Sequence, residues 1–525
     1  MKKHLGEILF TTFLLIAAFY SRIEFPYASL VWLVAVMIAM SFFMVKLFTG
    51  FKINDNYSNK GYSAVVSIAF IWLFFYSLCI NFQPLRMLMP AGFFRFMDVS
   101  SVMISGFILL LALSNLSRIM RNLRKQEKNG VVSFYKSMVL RIAFFSLILH
   151  LPEYRPVYFP PNTTKYPLQA TEQQGFDEGK KAFIFDTVQD FILDTGIKGL
   201  SGYVQKGENK MHFHAGYLST DRDRLPRSTD IYQFASVSKT LTATLMAEML
   251  ADSTLDTTLT LNEVVQKATL SDDLKSVRLL DLATHHSGLP RLGSSALNAL
   301  FMDMMQPYRY YTQEVFLEDL AHANTRERTH QYSNFGFGIL GYAIIERERM
   351  EYQQGRGLLS LMNMKFGRQA GMEQLGISNE ISSPQRVYAG AFAPNGKSMP
   401  WVRSESQHGK GQLIGSLNDL VAYANYYQES HAESDSSANV AYWAWKAVNI
   451  PVEGELHQHL GWLSTILEVK GEMKTPRIYW HNGATYGSSS FIAIEPTSEV
   501  KVILLSNTAV KVDPLALDLL KALLE

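Results

Sequence analysis

Hydrophobic and polar positions divide this chain into two parts of different character. Over the first 151 residues apolar positions run together: Ile8 to Tyr20, Tyr27 to Phe48, Tyr62 to Phe82, Val99 to Leu116 and Met138 to Leu151 carry few charges. A helix needs about 20 apolar residues to cross a bilayer, so the three middle stretches predict transmembrane helices outright. The first is short and follows Lys2 and Lys3 in the manner of a secretory signal. No small-residue cleavage site separates it from the next stretch, which predicts a retained helix. The fifth is interrupted by Lys136 and Arg141 and is extended by the aromatic Tyr154, Tyr158 and Phe159. Arg141 either pairs with Glu7 or reaches out to the cytoplasmic interface.

Loop charges orient this bundle of about five spans, because cytoplasmic loops collect lysine and arginine. Lys2, Lys3, Lys46, Lys52, Lys60, Arg118, Arg121, Arg124, Lys125 and Lys128 fall on one side, against Arg22, Arg86 and Arg95 on the other. The N-terminus is therefore predicted inside, and an odd number of spans delivers everything after about residue 152 to the outer face. The expected location is the bacterial inner membrane, multi-pass, with the later domain in the periplasm and the lipid bilayer as a partner. No pair of helices broken by glycine or proline suggests a transporter, so residues 1–151 read as an anchor.

Beyond the last apolar run the pattern changes twice. Residues 152–174 open on PEYRPVYFPPNTTKYP, whose prolines favour extended backbone, and are read as a linker. From residue 175 to 525 the sequence is mixed. Phe183, Ile184, Val188, Phe191 and Ile192 fall at helical spacing, and GLSGYVQKGENKMHFHAGYL predicts two strands joined by a turn at Gly207 to Asn209. Near the C-terminus KVILLSN has the form of a buried strand, and Asp513 with Pro514 is read as capping a final helix.

Composition removes several classes of function. The net charge is +2, which offers no basic field for nucleic acid, and no Cys/His cluster has metal-ligand spacing. Neither metal nor other cofactor is expected. The single cysteine, Cys79, lies in an apolar run, so no intrachain disulfide can form.

Three short motifs carry candidate chemistry. In FASVSKTLTATLMAEML, Ser236 and Lys239 are three residues apart at the start of a predicted helix, so the amine can reach the hydroxyl that it would activate. Ser238 cannot share that face. The S-x-x-K spelling is weak by itself, since Ser133 to Lys136 matches it as well. Tyr332-Ser333-Asn334 has decoys at Tyr57 to Asn59 and Tyr423 to Asn425, but Tyr332 precedes an apolar helix and shares the predicted side of Ser236. The third motif, Trp480 to Ala484, ends a strand beside a hairpin. A strand edge there offers N–H groups to an oxyanion, and Gly483 allows close backbone approach.

In this order the motifs resemble those of the serine β-lactamase and penicillin-binding superfamily, particularly its class C, D-aminopeptidase and esterase branch. The likeness covers roughly residues 175 to 525. LLDLATHHSGLPR, with Thr284, His286, Ser287, Gly288, Leu289 and Pro290, and GQLIGSLNDLVAYA, from Gly411 to Ala424, add to it. The resemblance implies an α/β domain in which an antiparallel sheet is flanked by helices and a helical subdomain is inserted. It also implies that Ser236 attacks a carbonyl, that Lys239 and Tyr332 move its proton, and that the N–H groups of Ser236 and Ala484 hold the oxyanion. Asn334 would bind a substrate amide, with His481 and Gly483 on the substrate side.

The chain departs from that pattern where His481 replaces a lysine and Asn482 a hydroxyl residue, which points away from penicillins. Residues 326–330 lack the usual proline-glycine turn, and Gln412 stands where a second glycine is frequent. His285 and His286 are read as structural. The expected function is a membrane-anchored serine hydrolase acting through an acyl-enzyme on a small peptide, amide or ester, D-amino-acid peptides of the cell wall being the leading substrates. Its rivals are a β-lactamase and an acylation-sensing receptor with little turnover.

Overall fold

The computed structural model describes residues 167–525, apart from 221–223, 296–307, 309–310, 353–356, 379–384, 404–408, 410, 433–435 and 469–475. The five apolar stretches, Arg141 and the copies at Ser133 and Tyr57 lie outside the described residues. Among those described, no helix is long and apolar enough to cross a membrane.

The chain enters through strand β1 (Leu168–Gln174) and helix α1 (Glu178–Thr195), then forms the hairpin β2 (Gly199–Lys206) and β3 (Asn209–Gly216). The Asp177 side chain caps α1 by accepting from the Lys180 N–H, and Gly196, at φ 69°, ends it in a left-handed turn. Ile184, Val188 and Ile192 bury one stripe of the helix, whereas Phe183, counted on that stripe, is 50% exposed. Gly207, at φ 56°, makes the predicted hairpin turn.

β1 corrects the linker boundary. Leu168 to Gln174 pairs antiparallel with β3, from Leu168 against Ala215 to Gln174 against Lys210. LQATEQQ follows the last proline, so its N–H groups are free to join a ladder, and its polar, largely exposed residues suit a sheet edge.

A short strand β4 (Tyr232–Gln233) leads into a tight turn, Ala235–Val237, and helix α2 (Ser238–Ala251). A helical lobe follows, including α3 (Leu279–Ala283), α4 (Gln313–His322) and α5 (Asn334–Tyr352). It closes with β5 (Gly376–Ile377), β6 (Leu413–Gly415) and α6 (Leu417–Ala432). β4, β6 and β5 form a small antiparallel sheet of their own. The chain then returns through β7 (Ile450–Glu453), β8 (Leu456–Gln458), β9 (Leu463–Ile466), β10 (Arg477–Ala484), β11 (Ser489–Glu495) and β12 (Val500–Ser506) to α7 (Asp513–Leu524).

Among the described residues the main sheet has nine antiparallel strands, in the order β1-β3-β2-β12-β11-β10-β9-β8-β7. Its centre is covered on both faces, which is why β12 is buried at every position. Alternation sorts its side chains: Val500, Val502 and Leu504 pack with α1 and α7, while Ile503 and Leu505 join the larger core beneath the helical lobe. Asp513 is the first residue of α7 and not its cap. Val512 holds the cap position, and the Asp513 carboxylate accepts a hydrogen bond from Asn482.

Candidate active site

Ser236 sits in the turn that joins the small sheet to α2, and its backbone is held from two sides. The Phe234 N–H donates to the Leu413 carbonyl at 3.0 Å, and the Phe234 carbonyl accepts from Ser490 Oγ at 2.7 Å. Between these anchors Ala235 adopts φ 48°, a left-handed conformation rare for a residue with a Cβ. Such strain persists only where the surroundings over-determine the backbone, as they do here. The neighbouring Ser238 is fully buried, and its hydroxyl accepts from the Leu413 N–H.

Lys239 lies one turn along α2, fully buried, with Nζ 3.2 Å from Ser236 Oγ and 2.7 Å from Asn334 Oδ1. Burial, assisted by the nearby Arg291 guanidinium, holds its pKa well below the usual lysine range. Tyr332 donates its hydroxyl to Ser236 Oγ at 2.7 Å. Burial pushes its pKa up to about 12, against smaller downward pulls from Ser236 and Arg291. The two shifts point in opposite directions: amine and phenol are both driven toward their neutral forms.

Tyr332 is held from the THHSGLPR loop. His285 takes φ 61°, its Nδ1 accepts from the Ser333 N–H at 3.0 Å, and its ring lies 4.5 Å from that of Tyr332. Its carbonyl accepts from the Gln331 N–H, while Ser333 Oγ donates to the Pro290 carbonyl. The Arg291 carbonyl accepts from the N–H groups of Asn334 and Phe335, which opens α5 in register with the loop. The Asn334 amide is engaged by Lys239, and Tyr308 lies near enough for burial, which raises its pKa, to be opposed slightly by Arg291 and Asn334.

Strand β10 brings the third motif alongside. Its pairing with β9 ends at Trp480 against Leu463, while pairing with β11 continues to Ala484 against Ser489. One edge of His481 to Ala484 is thus left without a strand partner among the described residues. A Cβ on Gly483 would lie 2.6 Å from the Phe234 carbonyl oxygen and 2.9 Å from the Ser236 nitrogen, so only glycine lets the strand approach this closely. Alternation along β10 puts His481 and Gly483 on one face and Asn482 on the other, where Asp513 holds it.

His481 is buried, and its Nδ1 faces the Asn482 carbonyl at 2.6 Å, so this nitrogen carries the proton. Burial and the charge of Lys239 lower its pKa to about 3. It is a neutral ring, with Nε2 as acceptor, where a cationic donor would otherwise stand.

The structure thus gathers Ser236, Lys239, Tyr332 and Asn334 into one hydrogen-bonded cluster, with Gly483 packed on the serine backbone. Tyr423, the decoy for Tyr332, is buried inside α6 and bonds Thr244. Sequence reasoning missed Arg291 and Tyr308. Arg291 stands at the end of the quoted loop, and its position was the only available signal.

A serine hydroxyl, a buried amine and a phenol meet at the edge of an antiparallel sheet, an arrangement that suits the serine hydrolases of the β-lactamase type. The chain belongs to the β-lactamase family, whose profile matches residues 174–524. Among solved structures it is similar to a class C β-lactamase mutant, at 16% identity and a TM-score of 0.54, over 66% of this chain and 97% of that one. No curated protein sequence matches it.

Proposed function

We infer that this protein is a membrane-anchored serine hydrolase that works through an acyl-enzyme at Ser236 on a small peptide, amide or ester. The observation that carries the reading is the convergence of Lys239 Nζ and the Tyr332 hydroxyl on Ser236 Oγ, at 3.2 and 2.7 Å. Lys239, favoured in its neutral form, takes the Ser236 proton as Oγ bonds the substrate carbonyl carbon. The negative charge that develops on the carbonyl oxygen meets the N–H groups of Ser236 and Ala484. Tyr332 hands a proton to the leaving nitrogen or oxygen as its bond to carbon breaks, and recovers one from Lys239. Water then repeats the sequence in reverse to free the acid. Asn334 lines the acyl side, and neutral His481 offers an acceptor on the other.

Peptides of the bacterial cell wall suit this chemistry, and a periplasmic domain held by the five apolar stretches would meet them. A fluorophosphonate or a fluorescent penicillin should label the wild type and not Ser236→Ala; equal labelling would refute the assignment. Steady product release after the first equivalent supports a hydrolase, and a burst of one equivalent with no turnover marks a receptor. A reporter fused after residue 165 should be active only in the periplasm; activity only in the cytoplasm would overturn the orientation.

A further inference from the structure

A cavity of about 260 Å³ lies beside the THHSGLPR loop, walled by Arg278, Asp281 and Leu280 of the α3 segment, by His286, by Arg328 and by Ile450 of β7. None of these residues belongs to the Ser236 cluster. Asp281, 5% exposed, accepts from Arg278 Nε and Nη2 and lies 3.8 Å from Arg328 Nη1, so one carboxylate answers two guanidinium groups. Arg328 Nη2 donates to Ser276 Oγ at 2.7 Å. Among the described residues these contacts leave Arg278 Nη1 and Arg328 Nε without a partner. Arg328 comes from residues 326–330, a stretch that the proposed reaction does not use. The cavity also touches both segments that hold Tyr332. His286 follows His285, whose Nδ1 accepts from the Ser333 N–H. Arg328 sits between Arg326, whose N–H donates to the Gly288 carbonyl, and Gln331, whose N–H donates to the His285 carbonyl. The His286 and His330 rings meet edge to face, 5.4 Å between centroids.

We propose that this cavity binds a phosphate group between Arg278 and Arg328, and that the bound anion raises the rate at Ser236 by steadying Tyr332. Guanidinium stays charged at every working pH and pairs well with phosphate oxygens. Asp281 already occupies one edge of Arg278, so the donors that remain come from two side chains on different segments. A tetrahedral anion presents oxygens in several directions and can meet both, whereas a flat carboxylate offers only two in one plane. Leu280 and Ile450 give the cavity an apolar wall, which strengthens charge pairing inside it. Binding ties residues 278–286 to residues 326–331, the two stretches whose hydrogen bonds precede the contact of the Tyr332 hydroxyl with Ser236 Oγ. The effect on rate rests on Ser236 being the acylated nucleophile; binding of the anion does not.

The test uses the purified full-length protein in neutral detergent, with ionic strength held constant by sodium chloride. Inorganic phosphate should raise the Tm of the wild type and of Ser236→Ala, and should speed fluorophosphonate labelling of Ser236 by about fivefold or more, the low end of ordinary coupling between sites. Arg328→Gln keeps the Arg278–Asp281 pair, and should lose both responses while labelling at the wild-type rate without phosphate. Ile450→Glu, which sets a carboxylate in the wall and changes neither arginine, should do the same. Dihexanoyl phosphatidic acid separates the sources: a response to inorganic phosphate assigns a soluble ligand, and a response to this lipid but not to dihexanoyl phosphatidylcholine assigns a headgroup. A wild type indifferent to both would overturn the site, as would acetate acting as well as phosphate or a Tm response that survives in both variants. Phosphate that slows labelling in wild type and variants alike would lie in the cleft, which also overturns it. A Tm response with no change in labelling rate would keep the site and overturn its link to Tyr332. Absence of Ser236 labelling under every condition would remove the nucleophile and that link together, while the Tm series still decides the site.

Discussion

Lys239 Nζ lies closer to Asn334 Oδ1, at 2.7 Å, than to Ser236 Oγ, at 3.2 Å. The proposed base is thus steadied by a neutral amide. An amide accepts a hydrogen bond from the amine without fixing its charge, so Lys239 can lose and regain a proton in place.

Asn334→Asp tests that relationship. A carboxylate in the place of the amide favours the ammonium and raises the Lys239 pKa by about 1–3 units. The limb of kcat/KM on which activity rises with pH should move up by the same amount. Titration of kcat/KM for the two proteins checks it, and coincident limbs would mean that Lys239 is not the base.

In the wild type that limb should fall well below the lysine range. The Lys239 pKa is depressed, so the neutral base is absent at low pH and appears as pH rises through the depressed value. Tyr332, raised to about 12, stays protonated across the working range and adds no descending limb before strong alkali. The rate of Ser236 labelling against pH gives the measurement; a rate rising only above about pH 10 would contradict it.

Gly483→Ala should disable the site while leaving the fold. Its Cβ would press on the Phe234 carbonyl and the Ser236 nitrogen, backbone atoms that cannot turn aside, as well as on Ser490 Oγ. Overpacking of this kind costs about 1–3 kcal/mol, and here it pushes the strand away from the nucleophile. Acylation should slow at least a hundredfold with a modest fall in Tm. Adding Ser490→Ala relieves the side-chain contact, leaves both backbone contacts and also removes a hydrogen bond from the Phe234 carbonyl, so it should not restore the rate.

Acid should destabilise the domain through its buried histidines. Burial holds His214 and His459 at about 4 and His481 at about 3. Unfolded, each takes a proton near pH 6.5; folded, it does not until far lower pH. Stability is therefore full above pH 6.5 and lost as pH falls toward 4, by about 1.4 kcal/mol per pH unit for each histidine. Urea unfolding at pH 7, 5.5 and 4.5 should show the midpoint dropping, and a flat series would contradict the sign.

Local spacing made part of this site legible. Ser236 and Lys239 are three residues apart at a helix start, and the apolar helix that follows Tyr332 separated it from Tyr423. What pairs across long stretches of chain left no local mark. LQATEQQ reads equally as linker or edge strand until β3 is beside it. His285 and His286 look alike in sequence, yet only His285 takes the left-handed backbone that turns its Nδ1 to Ser333. Arg291 meets Tyr332 only because the loop and the start of α5 exchange backbone hydrogen bonds. Asp513 looked like a cap because nothing in the sequence reveals that Asn482 would be its partner.

The double anchoring of Phe234 also orders events during synthesis. Ser490, which grips the Phe234 carbonyl, lies 256 residues further along the chain. A ribosome has released Ser236 and Lys239 long before β10 and β11 exist to complete the site. The nascent chain therefore carries an unfinished site through about half of its emergence, and the site is completed with the last strands to be made.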